Sequence, residues 1–309
     1  MRIVEAINLS LNQLMKENSN LYIVGEDILD PYGGAFKVTK NLSTNFKDRV
    51  ITTPISEASI VGFSTGMAMS GKKVIVEIMF GDFLSLAFDQ ILNQISKFAW
   101  VYNDITMPLI IRTPMGGGRG YGATHSQSIE KHFCGIAGLN VISINQYSNI
   151  HQLYSASLKS NKPTLIIENK TLYGKQYLGR EKVKYFNNPD IICLTYGGMV
   201  DVCMSSSNEV YDNDEIETNV IPVEKLNPFD YLSITQMTKK CKKFLIVEES
   251  GGGWGFNEIC KSSLAGIDGI KIETISGPSH PIPSSKEWEL NLMPNKNKIK
   301  DKIVKLYQS

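Results

Sequence analysis

The sequence carries almost no charge imbalance, with 32 Lys and Arg residues against 31 Asp and Glu residues. A surface built mainly to hold nucleic acid or anionic lipid is thereby excluded, and the expected partners are proteins or small molecules. No apolar run is long enough to span a bilayer, so no membrane partner is expected. The opening MRIVEAINLSLNQLMKEN is interrupted by acids and amides. It reads as an amphipathic helix without a signal-peptide core, and a cytoplasmic protein is expected. Cysteine is sparse and unpatterned. Cys134, Cys193, Cys203, Cys241 and Cys260 lie at wide spacings with no Cys-x-x-Cys pair, which favours reduced thiols over a zinc site or a redox pair. Cys193 and Cys203 are expected to act as small buried hydrophobes.

Familiar catalytic signatures are missing too. There is no Gly-x-Ser-x-Gly elbow and no Gly-x-x-x-x-Gly-Lys-[Ser/Thr] phosphate loop. The glycine clusters at 116–120 and 251–253 lack the dinucleotide fingerprint in a strand-to-helix setting. They are read as flexible loops.

What remains is an α/β pattern. The 309 residues, 42% hydrophobic, suffice for a large core and two domains. Short apolar strands fall at LYIVGED, VITT, KKVIVEIM, MPLIIRTPM and PTLIIEN, with helix-like stretches between them, notably 82–100 and 148–160. That rhythm predicts a mainly parallel sheet over residues 1–174, with functional groups at the carboxyl ends of its strands. Polar, basic residues 175–188 read as a linker. A smaller α/β unit over 189–309 follows, through IICLTYG, TNVIPVEKL, KFLIVEE and IKIETI. No internal sequence repeat is evident.

Glu57, in ITTPISEASIVGF, stands between a strand-like run and a small-residue helix over 58–70. Two readings are open. It is an ordinary first-turn acid, favoured by the helix dipole or paired with a capping Ser56. Or it is a half-buried carboxylate whose raised proton affinity lets it exchange a proton with a ligand.

The set GED at 25–27, YGGAFKVT at 32–39, TPISEASIVGF, EIMFGDFLSLAFDQI at 77–91 and GATHSQSIEKHF at 122–133 resembles one family. It is the beta subunit of the thiamine-diphosphate-dependent first component of 2-oxo acid dehydrogenases, of the pyruvate and branched-chain type. The resemblance to the carboxyl-terminal half of transketolase is weaker. The beta-subunit resemblance runs through the linker into the second unit, through LTYGGMVDVC, KFLIVEES and GPSHPIP followed by LMPN. It implies a pyrimidine-binding domain followed by a transketolase C-terminal-type domain. It also implies roles. The glutamate matching Glu57 hydrogen-bonds a ring nitrogen of the cofactor aminopyrimidine and favours the imino tautomer that deprotonates the thiazolium carbon. Phe83 matches the aromatic that packs on that ring, and His125 a histidine facing the reacting carbon. Glu26, also expected beside the cofactor, and Asp89 match acids of a proton network linking paired sites, although Asp89 reads equally as a helix-surface acid. His132 and His151 have no motif around them and are read as structural.

Family enzymes hold the cofactor diphosphate through Mg²⁺ on a Gly-Asp-Gly motif that this chain lacks. The resemblance therefore implies no metal ligands here, an alpha subunit carrying the diphosphate and Mg²⁺, and a beta dimer inside an α₂β₂ tetramer. Three departures stand out: a short linker, His280 where a Thr or an Asp-Thr pair is common, and the short tail KIVKLYQS. They bear on docking to a lipoyl acyltransferase, and they leave an alternative open. That alternative is a split transketolase-like or biosynthetic enzyme passing an activated aldehyde or ketol to an acceptor.

Overall fold

The computed structural model describes residues 1–102 and 105–309. The strands, in chain order, are β1 (Leu21–Gly25), β2 (Val50–Thr52), β3 (Lys73–Glu77), β4 (Leu109–Met115), β5 (Asn140–Ile144), β6 (Thr164–Asn169), β7 (Ile191–Thr195), β8 (Thr218–Pro222), β9 (Lys225–Asn227), β10 (Lys243–Val247) and β11 (Lys271–Ile275). They form a seven-stranded sheet ordered β2-β1-β3-β4-β6-β5-β9 and a four-stranded sheet ordered β11-β10-β7-β8. All pairings are parallel except β5 with β9, which is antiparallel. The α/β class with a mainly parallel first sheet and a smaller second unit is as expected.

Apolar strand residues alternate between the two faces of the first sheet. On one face Ile23, Ile75, Ile110 and Ile166 pack with the N-terminal helix Ile3–Glu17 and with helix Ile150–Lys159. The first helix buries Ile3, Ile7, Leu11 and Leu14, the stripe its sequence spacing predicts. The second is opened by Asn149, whose side chain accepts from the Gln152 amide at 3.1 Å. On the other face Val24, Val76, Ile111 and Ile167 pack on helix Glu57–Met69 and join Leu194 and Ile246 of the second sheet. One apolar core therefore runs through both units.

Three local differences from the sequence pattern have physical causes. Strand β5 escapes the pattern because NVISI is a five-residue run in which a polar Ser143 is buried, so neither an alternating nor a long apolar signal arises. The helical stretch from 82 is not one helix. It is a 3-10 segment Gly81–Ala87, a wide π-type segment Gln90–Ile95 and an α-helix Ser96–Val101. Irregular turns of this kind often accompany functional sites. The stretch after β6 is also less free than its polar composition suggests, since Ile3 N donates to Lys175 O at 3.0 Å and Tyr177 N to Met1 O at 3.0 Å.

At the centre of the first sheet lies a buried ionic cluster. Arg112 of β4 is 1% exposed. Its Nε donates to Glu168 Oε1 at 2.9 Å, and its terminal nitrogens reach Glu168, Glu77 and the Tyr173 hydroxyl. Tyr154 and Tyr173 also donate to Glu168. These bonds hold the Glu168 carboxyl below its usual range against the cost of burial, whereas burial pushes that of Glu77 up despite Arg112. All five thiols are free, and all but Cys134 are buried.

Removing the single cation leaves two buried carboxylates without compensation. Arg112→Met is expected to destabilise the chain by about 3–5 kcal/mol, read as a lowered urea midpoint. An unchanged midpoint would show that the cluster does not hold the sheet together.

Candidate active site

Because β1, β2, β3, β4 and β6 are parallel, their carboxyl ends open on one edge of the sheet, and the residues singled out in the sequence emerge there. Thr53 N donates to Gly25 O at 3.1 Å, setting the exit of β2 beside that of β1. Helix Glu57–Met69 starts four residues later and buries Ile60, Val61, Ser64, Thr65 and Ala68. Glu57 heads that face at 5% exposure. Ser56 does not cap the helix with its side chain; its hydroxyl instead donates to Ser59 Oγ at 2.9 Å. Among the described residues no hydrogen bond or ion pair reaches the Glu57 carboxylate. Glu26, also 5% exposed, ends β1. Burial, with Glu57, Asp27 and Glu77 close by, pushes its carboxyl above the ordinary range. Two buried acids with no hydrogen-bond partner among the described residues thus lie within each other's field, an arrangement open to a donor from a ligand.

Helix Glu57–Met69 packs on the 3-10 segment that carries Phe83. That segment opens after Phe80, and both rings meet His125. The imidazole stands edge-on to Phe80 at 4.6 Å and to Phe83 at 5.2 Å between centroids. The pairing of Phe83 with His125, residues 42 positions apart in the chain (125 − 83), rests on the exits of β3 and β4 being neighbours. Asp89 lies elsewhere. It is exposed and accepts from Asn93 Nδ2 at 2.7 Å, the helix-surface relation its sequence context allowed.

The loop before His125 is not free. Gly117 N donates to Glu249 Oε1 at 2.6 Å, while Gly118 N and Gly120 N donate to the two carboxylate oxygens of Glu289 at 2.8 and 2.6 Å. The loop over 251–253 is tied as well, through Lys131 Nζ to Gly251 O and to Gly253 O. Glycine composition alone predicts mobility. Here it serves close approach: a Cβ at Gly116, where φ is +93°, would sit 2.4 Å from the Asn169 side chain.

Residues that the motifs passed over complete the edge. Lys170, directly after β6, is fully buried and donates from Nζ to His125 O at 2.6 Å. Asp82 accepts from Gln127 N at 3.2 Å. A charged residue just beyond an apolar strand, as in IIENK, is the signal that could have marked Lys170. Among the described residues no group of three or more His, Cys, Asp or Glu side chains could hold a metal ion.

Residues 1–176 match the family described as "Transketolase, pyrimidine binding domain", and residues 182–299 match "Transketolase, C-terminal domain". The chain is also 32% identical over 299 residues to "Pyruvate dehydrogenase E1 component subunit beta" of Gracilaria tenuistipitata var. liui, covering 93% of this chain and 92% of that protein. The chain belongs to the transketolase-like family of 2-oxo acid dehydrogenase beta subunits. Another member, "2-oxoisovalerate dehydrogenase subunit beta" of Bacillus subtilis (strain 168), is 30% identical over 318 residues, covering 97% of this chain and 96% of that one. Among solved structures, a "Split gene transketolase, inactive beta4 tetramer" has the same fold with a TM-score of 0.80 at 16% identity, over 98% of this chain and 97% of that one.

Behind the glycine-rich loop of this beta-family chain, Tyr196 donates its hydroxyl to Glu130, which is 3% exposed. Burial, with Glu249 and Glu248 nearby, pushes the Glu130 carboxyl up to about 7. A carboxyl whose folded value lies above its unfolded one stabilises the fold fully below the unfolded value and loses that contribution as pH rises through the folded one. Glu130→Gln is therefore expected to match the parent near pH 4.5 and to exceed it by up to about 3 kcal/mol above pH 8. Thermal melts of both proteins across this range isolate the effect, since all other groups titrate in both. A difference that stays flat with pH would refute the assignment.

Proposed function

We propose that this chain is the pyrimidine-binding half of a heteromeric thiamine-diphosphate-dependent 2-oxo acid dehydrogenase, which decarboxylates a 2-oxo acid and passes the acyl unit to a lipoyl group. The observation that carries the reading is Glu57, a buried carboxylate at a helix start with no hydrogen-bond or ion-pair partner among the described residues. It fits a cofactor ring nitrogen that needs an acceptor or a shared proton. Glu26, whose carboxyl is raised by burial and by the nearby Glu57 charge, is the second acid at this edge, and the half-buried Phe83 offers an aromatic edge to a planar ring.

When bound, thiamine diphosphate supplies the electron sink that decarboxylation needs. The rest falls to side chains. Glu57 holds a proton at the cofactor ring and fixes its orientation. Phe80 and Phe83 set the plane of the His125 imidazole and keep water from one side of it. His125 moves a proton at the reacting end of the substrate. Asp89, on the outer face, would join a proton network only where a second chain covers it.

The diphosphate and Mg²⁺ are assigned to an alpha subunit, because this chain has no Gly-Asp-Gly and no metal-holding cluster among its described residues. Support for a partner comes from the helix that Glu57 starts. Its outer side exposes Phe63 and Met69, and a Cβ at Gly66 would meet nothing within 4 Å. Ile55, 81% exposed, adds to that surface. A beta dimer within an α₂β₂ assembly is the closed symmetric arrangement we assign to it, with a lipoyl acyltransferase as the acceptor-bearing partner.

Two measurements test this. Glu57→Gln, in the enzyme reconstituted with its alpha chain, is expected to lose about 10²- to 10⁴-fold in turnover of 2-oxo acids with an artificial electron acceptor. Near-normal turnover would remove Glu57 from the chemistry, and turnover with aldehyde or ketol acceptors alone would move the enzyme to the transferase class. Calorimetry of the isolated chain with thiamine diphosphate and Mg²⁺ is expected to give no tight binding. Tight binding without a partner would overturn the half-site reading.

A further inference from the structure

His125 has few constraints of its own. Its imidazole touches Phe80 and Phe83 edge-on, and its Nδ1 shares a 2.8 Å contact with the exposed Thr124 hydroxyl. Where the ring meets Phe80 and Phe83 therefore depends on the main chain that carries it. That main chain is gripped at two points from the sheet edge. Lys170 Nζ donates to His125 O, and Asp82 Oδ1 accepts from Gln127 N, two residues further on. Behind this pair the turn is closed by His125 N to Gly122 O at 3.2 Å, with Gly122 at φ +82°.

The grip is costly in a way that simple packing does not require. Lys170 is 0% exposed, yet the His125 carbonyl is the one oxygen described within hydrogen-bonding distance of its ammonium. The ammonium also stands over the Phe80 ring, 5.5 Å away at the centroid. Asp82 Oδ2 is buried without a hydrogen-bond partner. A methionine would fill the same channel without desolvating a charge. Burial lowers the Lys170 ammonium to about 8, with Asp82, Glu249 and Glu289 acting to raise it and Arg119 to lower it. Burial likewise pushes Asp82 up, against Lys170 and His125. A pair kept at this cost points to a task at the one carbonyl it holds.

We propose that Lys170 is a positioning residue for His125. From the end of β6 it fixes the His125 carbonyl while Asp82 fixes the Gln127 amide, and together they set the imidazole against Phe80 and Phe83. The inference rests on the reading of His125 as the proton-transferring group, but the geometry it describes is independent of which substrate is turned over.

The test uses the full chain labelled with ¹³C at histidine Cε1, the four histidine signals being assigned by single substitutions. In Lys170→Met the His125 signal is expected to shift and broaden while those of His132, His151 and His280 stay in place. Amide exchange over 123–127 is expected to quicken about tenfold or more. Lys170→Arg, which keeps a cationic donor, should restore part of both effects. In the reconstituted enzyme Lys170→Met should lower kcat by about 10- to 100-fold with cofactor affinity within about twofold. A folded Lys170→Met variant with an unmoved His125 signal and unchanged exchange would overturn the proposal. Should that variant fail to fold, Lys170→Gln, which removes the cation and shortens the donor while keeping a polar side chain in the buried site, carries the same readouts, and their constancy there overturns it equally. If the His125 signal responds as expected while the assembled enzyme decarboxylates no 2-oxo acid, the positioning role stands and the functional reading falls. The reverse pair of results does the opposite.

Discussion

The buried cation of Arg112 is the constraint on which the geometry of this protein depends. It sits in β4 between Glu77 of β3 and Glu168 of β6, so one guanidinium spans three adjacent strands. Those strands run straight out into the Phe80–Phe83 turn, the glycine-rich loop and Lys170. A planar fork with fixed donor directions ties strand positions more tightly than apolar contact, which tolerates sliding. The spacing between Phe83, His125 and Lys170 is thus inherited from a cluster buried inside the sheet.

A second constraint comes from the other half of the chain. Glu249 and Glu289 reach across to the amides of Gly117, Gly118 and Gly120, so the loop leading to His125 takes its shape from residues more than a hundred positions away. Carboxylates accepting from main-chain amides make strong, directional bonds. Any relative movement of the two units is transmitted directly to that loop.

Much of this was legible in the sequence, and the limits have physical reasons. The parallel sheet, its strand-end edge and the amphipathic first helix follow from periodicity, which reports burial faithfully when a face is continuous. Glu57, Phe83 and His125 stand out because each lies in a distinctive run, and the fold gathers Phe83 and His125 into direct contact. Lys170 was marked only by its place just beyond an apolar strand, a signal outweighed by the usual solvated reading of a lysine in a polar run, and its 0% exposure is what sets it apart. The glycine-rich loop misled for the opposite reason. Its order is supplied by Glu249 and Glu289, and no local signal encodes a distant acceptor. Strand β5 failed through brevity and its buried serine.

Strand β9 gives the architecture a direction in time. It lies in the second half of the sequence, yet it closes the outer edge of the first sheet by pairing with β5. During synthesis from the N-terminus, the first sheet can be assembled only up to β5, whose outer backbone groups stay unpaired until the chain has passed Asn227. A nascent or truncated chain carries an open strand edge that is prone to pair with another molecule. The two units are therefore not separable modules in biogenesis, and the earlier one waits on the later one to be finished.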